Sequence, residues 1–424
     1  MEPTNFKRTV IIFVSIHIFI FLILFTLLPS FFPDGTGAGS LEGYIAGLML
    51  HGTIPYHPFV QGFEYPPLAL LSFLLPGLIT TSMPAYTWLF ATELMIFDLL
   101  ALLMLADLAA TLKFSVRNTL IIYTLTLIAV GPILVSRYDL LPAMLVLAAA
   151  WAFVKGRNKL AWVAAALGFA AKLYPIIIIP LFFIYQVKNR QYGRLFQGGA
   201  AFLITLLVLF LPWIIIDAGG FWHSFTYHFD RPLHSESTYG TVLLAGQLLG
   251  MTRTTGALTY GSWNLLSPLA DNLAQLSFPL TAVVLVIVYG LFAWRLWKNP
   301  ERDDKTNISG PSAANFVQFT VLAVTVFMLT NKVFSAQYMA WLCPLIPLVT
   351  GGRQYPVPAL FMVAAILTQY VYPYNYIGFE LVQPLPVTIL LFRNFLLVLM
   401  AVLIALDNRR LYQSPGTRAL RSGG

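Results

Sequence analysis

Charge is what this chain is short of. Asp, Glu, Lys and Arg make up only 10% of its 424 residues, against about a quarter in soluble domains. Hydrophobic residues make up 58% and the mean hydropathy is +0.77. That balance excludes a soluble globular fold and leaves a polytopic membrane protein. Cysteine is nearly absent: Cys343 stands alone in an apolar run, which excludes an intramolecular disulfide. There is no GxxxxGK[ST] and no strand-flanked GxGxxG. The longest polar loop only approaches the floor of about 50 residues for a domain, so the chain has no nucleotide-binding domain of its own. Internal repeats, heptad runs and low-complexity tracts are also missing. The net charge of +8 does not imply a nucleic-acid partner, because the basic residues come in short clusters between apolar runs, the pattern of cytoplasmic loops.

What the chain has in abundance is apolar runs. A bilayer core of about 30 Å takes about 20 apolar residues, fewer where a helix is short. Candidate crossings fall at 9–29, 84–106, 119–136, 139–154, 160–171, 173–187, 195–216, 273–297, 315–330, 333–352, 356–372 and 385–406. The expected fold is an all-α integral membrane bundle of about 12 transmembrane helices, one polytopic unit over 1–424. Its core helices lie in 1–217 with a first outer loop over 30–83, and 218–424 holds a second outer loop over 217–272 and the C-terminal helices. Lys7 and Arg8 precede the first run, which ends at Pro29-Ser30-Phe31 without small-residue cleavage chemistry, so an uncleaved first helix is expected.

The run 68–81 follows a double Pro, carries Pro76 and decides the topology. If it does not span, all but six of the 25 Lys and Arg fall on the inner side, with both termini cytoplasmic. If it spans, most basic clusters move outside. The positive-inside bias therefore predicts a re-entrant or interfacial segment. The six exceptions are Arg137, Lys172, Arg231, Arg253, Lys332 and Arg393. They share the outer face with nine of the 17 acids: Asp34, Glu42, Glu64, Asp139, Asp217, Asp230, Glu236, Asp271 and Glu380.

Residues 29–67 contain no Lys or Arg, as befits an outer loop, and 41–50 have helical apolar spacing closed by Gly52 and Pro55. A short helix on the outer membrane surface is expected there. The other long polar stretch, 217–271, contains His228, Asp230, His234 and Glu236. These are ligand types that suit a divalent metal, although two-residue steps are common in loops by chance. No cofactor is otherwise implied. Glu93 and Asp98 share the second long helix, where an interhelix hydrogen bond is the ordinary use and a cavity lining the rarer one. Trp222 and the Tyr372–Tyr376 run read first as interfacial aromatics and second as sugar-stacking platforms.

Four places along the chain resemble glycosyltransferase family 87, polyprenyl-phosphate-mannose-dependent enzymes of the multi-helix GT-C fold. The first is Tyr44 followed by Gly52-Thr53-Ile54-Pro55-Tyr56 and Glu64-Tyr65-Pro66-Pro67-Leu68. The second is Arg137-Tyr138-Asp139 to Leu141-Pro142, with Lys172-Leu173-Tyr174-Pro175. The third runs from Tyr227-His228 through Asp230-Arg231 to Glu236-Ser237, and the fourth is Lys332 with Phe334-Ser335-Ala336-Gln337-Tyr338. No single motif is specific, and it is their order that carries the likeness. Two positions depart from the family pattern. The Asp usual shortly before the aromatic at Tyr44 is replaced by Ser40-Leu41-Glu42, with Asp34 farther upstream, and Ala336 stands where Pro usually precedes the Gln.

The resemblance implies a single displacement with inversion, from a β-linked polyprenyl-phosphate sugar, a hexose such as mannose, to a lipid or glycan acceptor. Such a transfer needs a carboxylate to take the acceptor proton, cations for the departing phosphate, and an apolar groove for the lipid. Glu42 and Asp34 are the alternative bases. Glu64 and Tyr65 orient a turn or a sugar hydroxyl. Lys172 and Arg393 are charges near the membrane interior, retained for phosphate or for a pairing such as Lys172 with Asp139. Arg231 and Lys332 lie inside the family-like motifs as phosphate ligands. His228, Glu236, Gln337, Arg137 and Asp139 join them as substrate contacts, the last two flanking Tyr138 where pairing with their neighbours is the other reading, and Arg253 reads as a surface charge. The rival readings are a 12-helix secondary transporter, against which the absence of a repeat speaks, and a non-catalytic membrane protein.

Overall fold

The structure is a computed structural model that describes residues 3–31, 39–53, 56, 65–298, 310–349 and 356–407. Asp34, His57, Glu64 and most of the 299–311 linker lie outside the described residues.

The helices follow the apolar runs. Helix α1 (Pro3–Phe31) leads to α2 (Ser40–Leu50), α3 (Pro67–Gly77) and α4 (Met83–Thr111). Then come α5 (Val116–Val130), α6 (Ile133–Ser136), α7 (Leu140–Val154), α8 (Asn158–Ala171), α9 (Ile179–Lys188) and the long α10 (Tyr192–Asp230). After α11 (Thr238–Leu248) the chain runs through α12 (Pro268–Lys298), α13 (Gly310–Thr330), α14 (Met339–Leu342), α15 (Pro356–Val371), α16 (Tyr376–Glu380) and α17 (Pro384–Leu406). Six of these, α1, α4, α10, α12, α13 and α17, are long and apolar enough to cross a membrane, so the chain is a multi-pass membrane protein. The expected count of about twelve depends on the shorter apolar helices as well.

Helix α3 has 11 residues, about 16 Å at 1.5 Å per residue, roughly half of a bilayer core. Two other expected helices are broken. Within 119–136 the chain turns at Gly131, whose φ of 63° is open to glycine, and a Cβ there would sit 2.5 Å from Gln369 Oε1. Within 333–352, Pro344 and Pro347 remove backbone donors, and the segment becomes the short α14 followed by a 3-10 turn, Ile346–Val349. That irregular backbone is buried inside the bundle, where membrane proteins tolerate it.

Helix α10 bends at Asp217 (φ −153°, ψ 91°), whose Oδ1 accepts the Gly220 N–H at 2.9 Å and so caps a second helical stretch. The segment between α10 and α12 then departs from an all-α fold. Strands β1 (Leu233–His234), β2 (Thr255–Thr259) and β3 (Ser262–Leu266) form an antiparallel sheet in the order β1-β3-β2. Leu233, Leu243, Leu244 and Leu265 of this small lobe share an apolar cluster with Val387 and Leu390 of α17, which seats the lobe on the last helix.

Buried polar groups tie the bundle together. Asp98 on α4 accepts the Tyr123 hydroxyl at 2.6 Å and lies 2.7 Å from His17 Nδ1, while His17 Nε2 is 3.0 Å from Thr124 Oγ1. Glu93 accepts from Ser72 at 2.8 Å. Glu93 and Asp98 therefore both serve interhelix hydrogen bonds.

Candidate active site

The site begins at Gly39. Its φ of 65° starts α2, and its N–H donates to Ser136 O at 3.2 Å, so the first turn of α2 lies beside the α6–α7 junction. A side chain at Gly39 would be strained by that φ and would bring a Cβ within 2.9 Å of the Phe90 ring. Three residues on, Glu42 is buried against the bundle at 1% exposure. Its carboxylate faces Arg137, with Nη1 to Oε1 at 4.0 Å, beyond hydrogen-bond range. Neither oxygen of Glu42 has a hydrogen-bond partner on another described residue. Burial raises the Glu42 carboxyl above the usual carboxylate range, and the Arg137 charge offsets this only in part.

Next to Arg137 stands a closed ion pair. Asp139, at the start of α7, receives Lys172 Nζ and Trp341 Nε1 on the same oxygen, each at 2.6 Å. Rings enclose the ammonium: Tyr138 at 4.8 Å and Tyr338 and Trp341 at 5.3 Å from their centroids. Tyr174 stacks on the far side of Trp341 at 3.9 Å. Tyr65 meets this centre through its edge-on contact with Tyr138 at 5.4 Å, and its carbonyl accepts the Tyr56 hydroxyl at 2.6 Å. The arrangement sets a lone carboxylate before a cationic wall, one member of which is locked in place.

A second charged centre lies where the small β1–β3 lobe meets α17. Glu236 is buried. Its carboxylate lies near the Tyr376 hydroxyl and the Ala336 backbone, and burial pushes its carboxyl up to about 7 against the opposing pull of Arg393. The Glu236 carbonyl accepts Arg393 Nη2 at 2.7 Å. Arg393 is wholly buried, its guanidinium 4.0 Å above the Phe334 ring centroid. His234 Nδ1 lies 3.1 Å from Phe334 O, and burial with Arg231 nearby holds this imidazole well below its ordinary range, in the neutral form. Arg231 donates to Ser262 Oγ at 2.6 Å, and Lys332 to Phe229 O at 2.7 Å. Burial and the Arg231 charge lower the Lys332 ammonium.

Of the residues singled out in the sequence, Glu42, Tyr65, Arg137, Asp139 and Lys172 come together in the first centre. Arg231, Glu236, Lys332 and Arg393 gather in the second. Gln337 is half-buried on the turn Ala336–Tyr338 that joins the two. His228 sits in the last turn of α10, its ring edge-on to Tyr227 at 5.7 Å. Asp34 and Glu64 lie outside the described residues. The proposed metal ligands His228, Asp230, His234 and Glu236 do not converge. Among the described residues no three of His, Cys, Asp or Glu are grouped to hold a metal, because the first two sit on a helix end while the others are turned into the lobe core.

Three aromatics of the site escaped the sequence reading. Tyr372 and Tyr376 are half-buried, with their hydroxyls near Arg137 and Glu236 respectively, while Tyr374 between them is exposed. Trp341 completes the cage. Tyr338 and Trp341 are three apart across the continuous join of a 3-10 turn and α14, a helical spacing, whereas the turn at 372–375 leaves Tyr372 and Tyr376 with no periodic signal.

No curated protein matches the chain. The model of glycosyltransferase family 87 matches residues 63–325, more than half of its length. The matched stretch includes Arg137, Asp139 and Lys172 of the first centre and Arg231 and Glu236 of the second. With a multi-pass bundle and a buried carboxylate set before cations already in view, that match establishes that the chain belongs to glycosyltransferase family 87.

Proposed function

We infer that this glycosyltransferase moves a hexose, mannose being the first to test, from a polyprenyl-phosphate donor to a lipid or glycan acceptor on the extracytoplasmic face, with inversion. The observation that carries the reading is the Glu42 carboxylate: buried, without a hydrogen-bond partner among the described residues, and 4.0 Å from Arg137. Buried polar groups are ordinarily satisfied, so an open one at a charged centre fits a group awaiting substrate.

Glu42 takes the proton from the acceptor hydroxyl as that oxygen attacks the anomeric carbon. The bond from that carbon to the phosphate oxygen breaks, and the electron pair leaves with the polyprenyl phosphate. Arg137 and Lys172 meet the charge growing there, with Asp139 holding Lys172 in position. Arg231 and Lys332 are the further phosphate contacts, and Tyr65, Glu64, His228 and Gln337 contact sugar or acceptor. No step calls for a metal. Sidedness rests on the basic clusters, which place both termini in the cytoplasm if α3 returns to the face it left, as its 11 residues suggest. The GT-C architecture and a total of about twelve crossings belong to the same proposal.

The test supplies purified protein in lipid nanodiscs with polyprenyl-phosphate-mannose and follows sugar transfer by the wild type, Glu42→Gln and Asp34→Asn. A loss confined to Glu42→Gln supports the assignment. A loss confined to Asp34→Asn moves the base to Asp34, and substrate uptake without transfer would favour a transporter.

A further inference from the structure

The two charged centres are joined by an unbroken column of planar groups. The Arg393 guanidinium lies 4.0 Å above Phe334. Phe334 stacks with Tyr338 at 6.2 Å and 19°. Tyr338 stacks on Trp341 at 3.8 Å and 22°, and Trp341 on Tyr174 at 3.9 Å and 6°. At its upper end the column is clamped by Glu236. The Glu236 carbonyl takes Arg393 Nη2, and its carboxylate lies beside the Ala336 backbone, in the segment that carries Phe334 and Tyr338. At its lower end Tyr338 and Trp341 form two walls around Lys172, and Trp341 shares an Asp139 oxygen with it.

Arg393 lies within α17 and is fully buried, so it presents no surface to a ligand arriving from outside. Its stacking and its bond to the Glu236 carbonyl instead fix the height of Phe334, and through it the pitch of Tyr338 and Trp341. The Tyr376 hydroxyl faces Glu236, and its ring packs edge-on at 5.4 Å to Tyr372, which neighbours Arg137. The clamp is therefore connected to both cations of the first centre.

We propose that Arg393 and Glu236 are positioning residues for transfer, setting the Lys172–Asp139 pair through the Phe334–Tyr338–Trp341 column and touching no substrate themselves. This rests on the reading of Lys172 as a group that meets the donor phosphate. A shift of a fraction of an ångström in the cage re-aims the ammonium and slows the chemical step while leaving donor affinity in place.

Two measurements on the full-length protein test it. The first is a kinetic cycle with polyprenyl-phosphate-mannose using Arg393→Lys, which keeps the charge and loses the planar fork, alone and on a Lys172→Met background. The expected result is a fall in kcat on the order of 10- to 100-fold for Arg393→Lys with donor KM nearly unchanged. On the Lys172→Met background, itself slower, no further fall is expected, since both substitutions act through one group. Effects that multiply would overturn the positioning role and leave the Lys172 reading standing. A Lys172→Met protein as fast as the wild type would overturn both. The second measurement needs no substrate: competitive labelling of Lys172 by an amine-reactive reagent, read by mass spectrometry. Arg393→Lys should raise labelling several-fold, and unchanged labelling overturns the proposal. If Arg393→Lys does not fold, Tyr376→Phe, which removes only the hydroxyl facing Glu236, enters the same cycle and the same labelling with the same criteria.

Discussion

Two buried carboxylates, Asp98 and Glu42, show what separates a structural acid from a working one in this bundle. Asp98 is fully enclosed and fully answered, with Tyr123 at 2.6 Å on one oxygen and His17 at 2.7 Å on the other. Glu42 is almost as deeply enclosed, yet its nearest cation stands at 4.0 Å and no other described residue donates to it. Low-polarity surroundings make an unanswered carboxylate expensive, and a sequence that fixes one in place with Gly39 and α2 gains no stability from doing so. Asp98 holds α1 to α4 and α5. Glu42 is held by its surroundings and has room for a ligand.

The comparison is sharpened first by exchanging charge for amide. Glu42→Gln should lower transfer on the order of 10²- to 10⁴-fold while its unfolding temperature stays level or rises, because an uncompensated buried charge is removed. Asp98→Ala should do the reverse. It strands His17 and Tyr123 and costs about 3 kcal/mol, seen as a lower unfolding temperature in nanodiscs, with kcat of the remaining folded protein within a few-fold of wild type. If both variants lose activity and stability together, the distinction between the two acids fails.

Two smaller effects probe how Glu42 is held. Gly39→Ala forces a left-handed residue and a contact on Phe90, for a cost of about 1 kcal/mol or more and a parallel fall in kcat. A melting shift without a kinetic one would mean that the start of α2 does not aim Glu42. The pH profile follows from burial: the base acts when deprotonated, so transfer is full above its raised pKa and declines as pH falls through it, at a higher pH than an ordinary carboxylate would give. Glu42→Asp should move that limb, and Asp98→Asn should leave it in place.

Much of this was legible in the chain. The apolar runs located the long helices, and the cations Arg137 and Lys172, set apart from the basic clusters between apolar runs, marked the first centre. What escaped depended on contacts distant in sequence. Nothing local tells that Trp341 will bond Asp139, 202 residues away, or that Arg393 will reach the Glu236 carbonyl at a separation of 157. Periodicity identifies a buried face without naming its partner. The hairpin of β2 and β3 was hidden for another reason. Its two-residue turn is Tyr260-Gly261, with φ of 51° and 65°, and a tyrosine in the left-handed region lacks the Asn-Gly signature of such turns. Gly131 read as an ordinary helix residue until Gln369 was seen to fill the space its side chain would take.

The most direct measurement is the single-turnover rate of sugar transfer from polyprenyl-phosphate-mannose by folded Glu42→Gln protein beside the wild type. The account predicts a fall of at least about 100-fold with donor binding intact. A rate within a factor of about two would mean that the open carboxylate takes no proton, and the assignment of the reaction centre to α2 would be wrong.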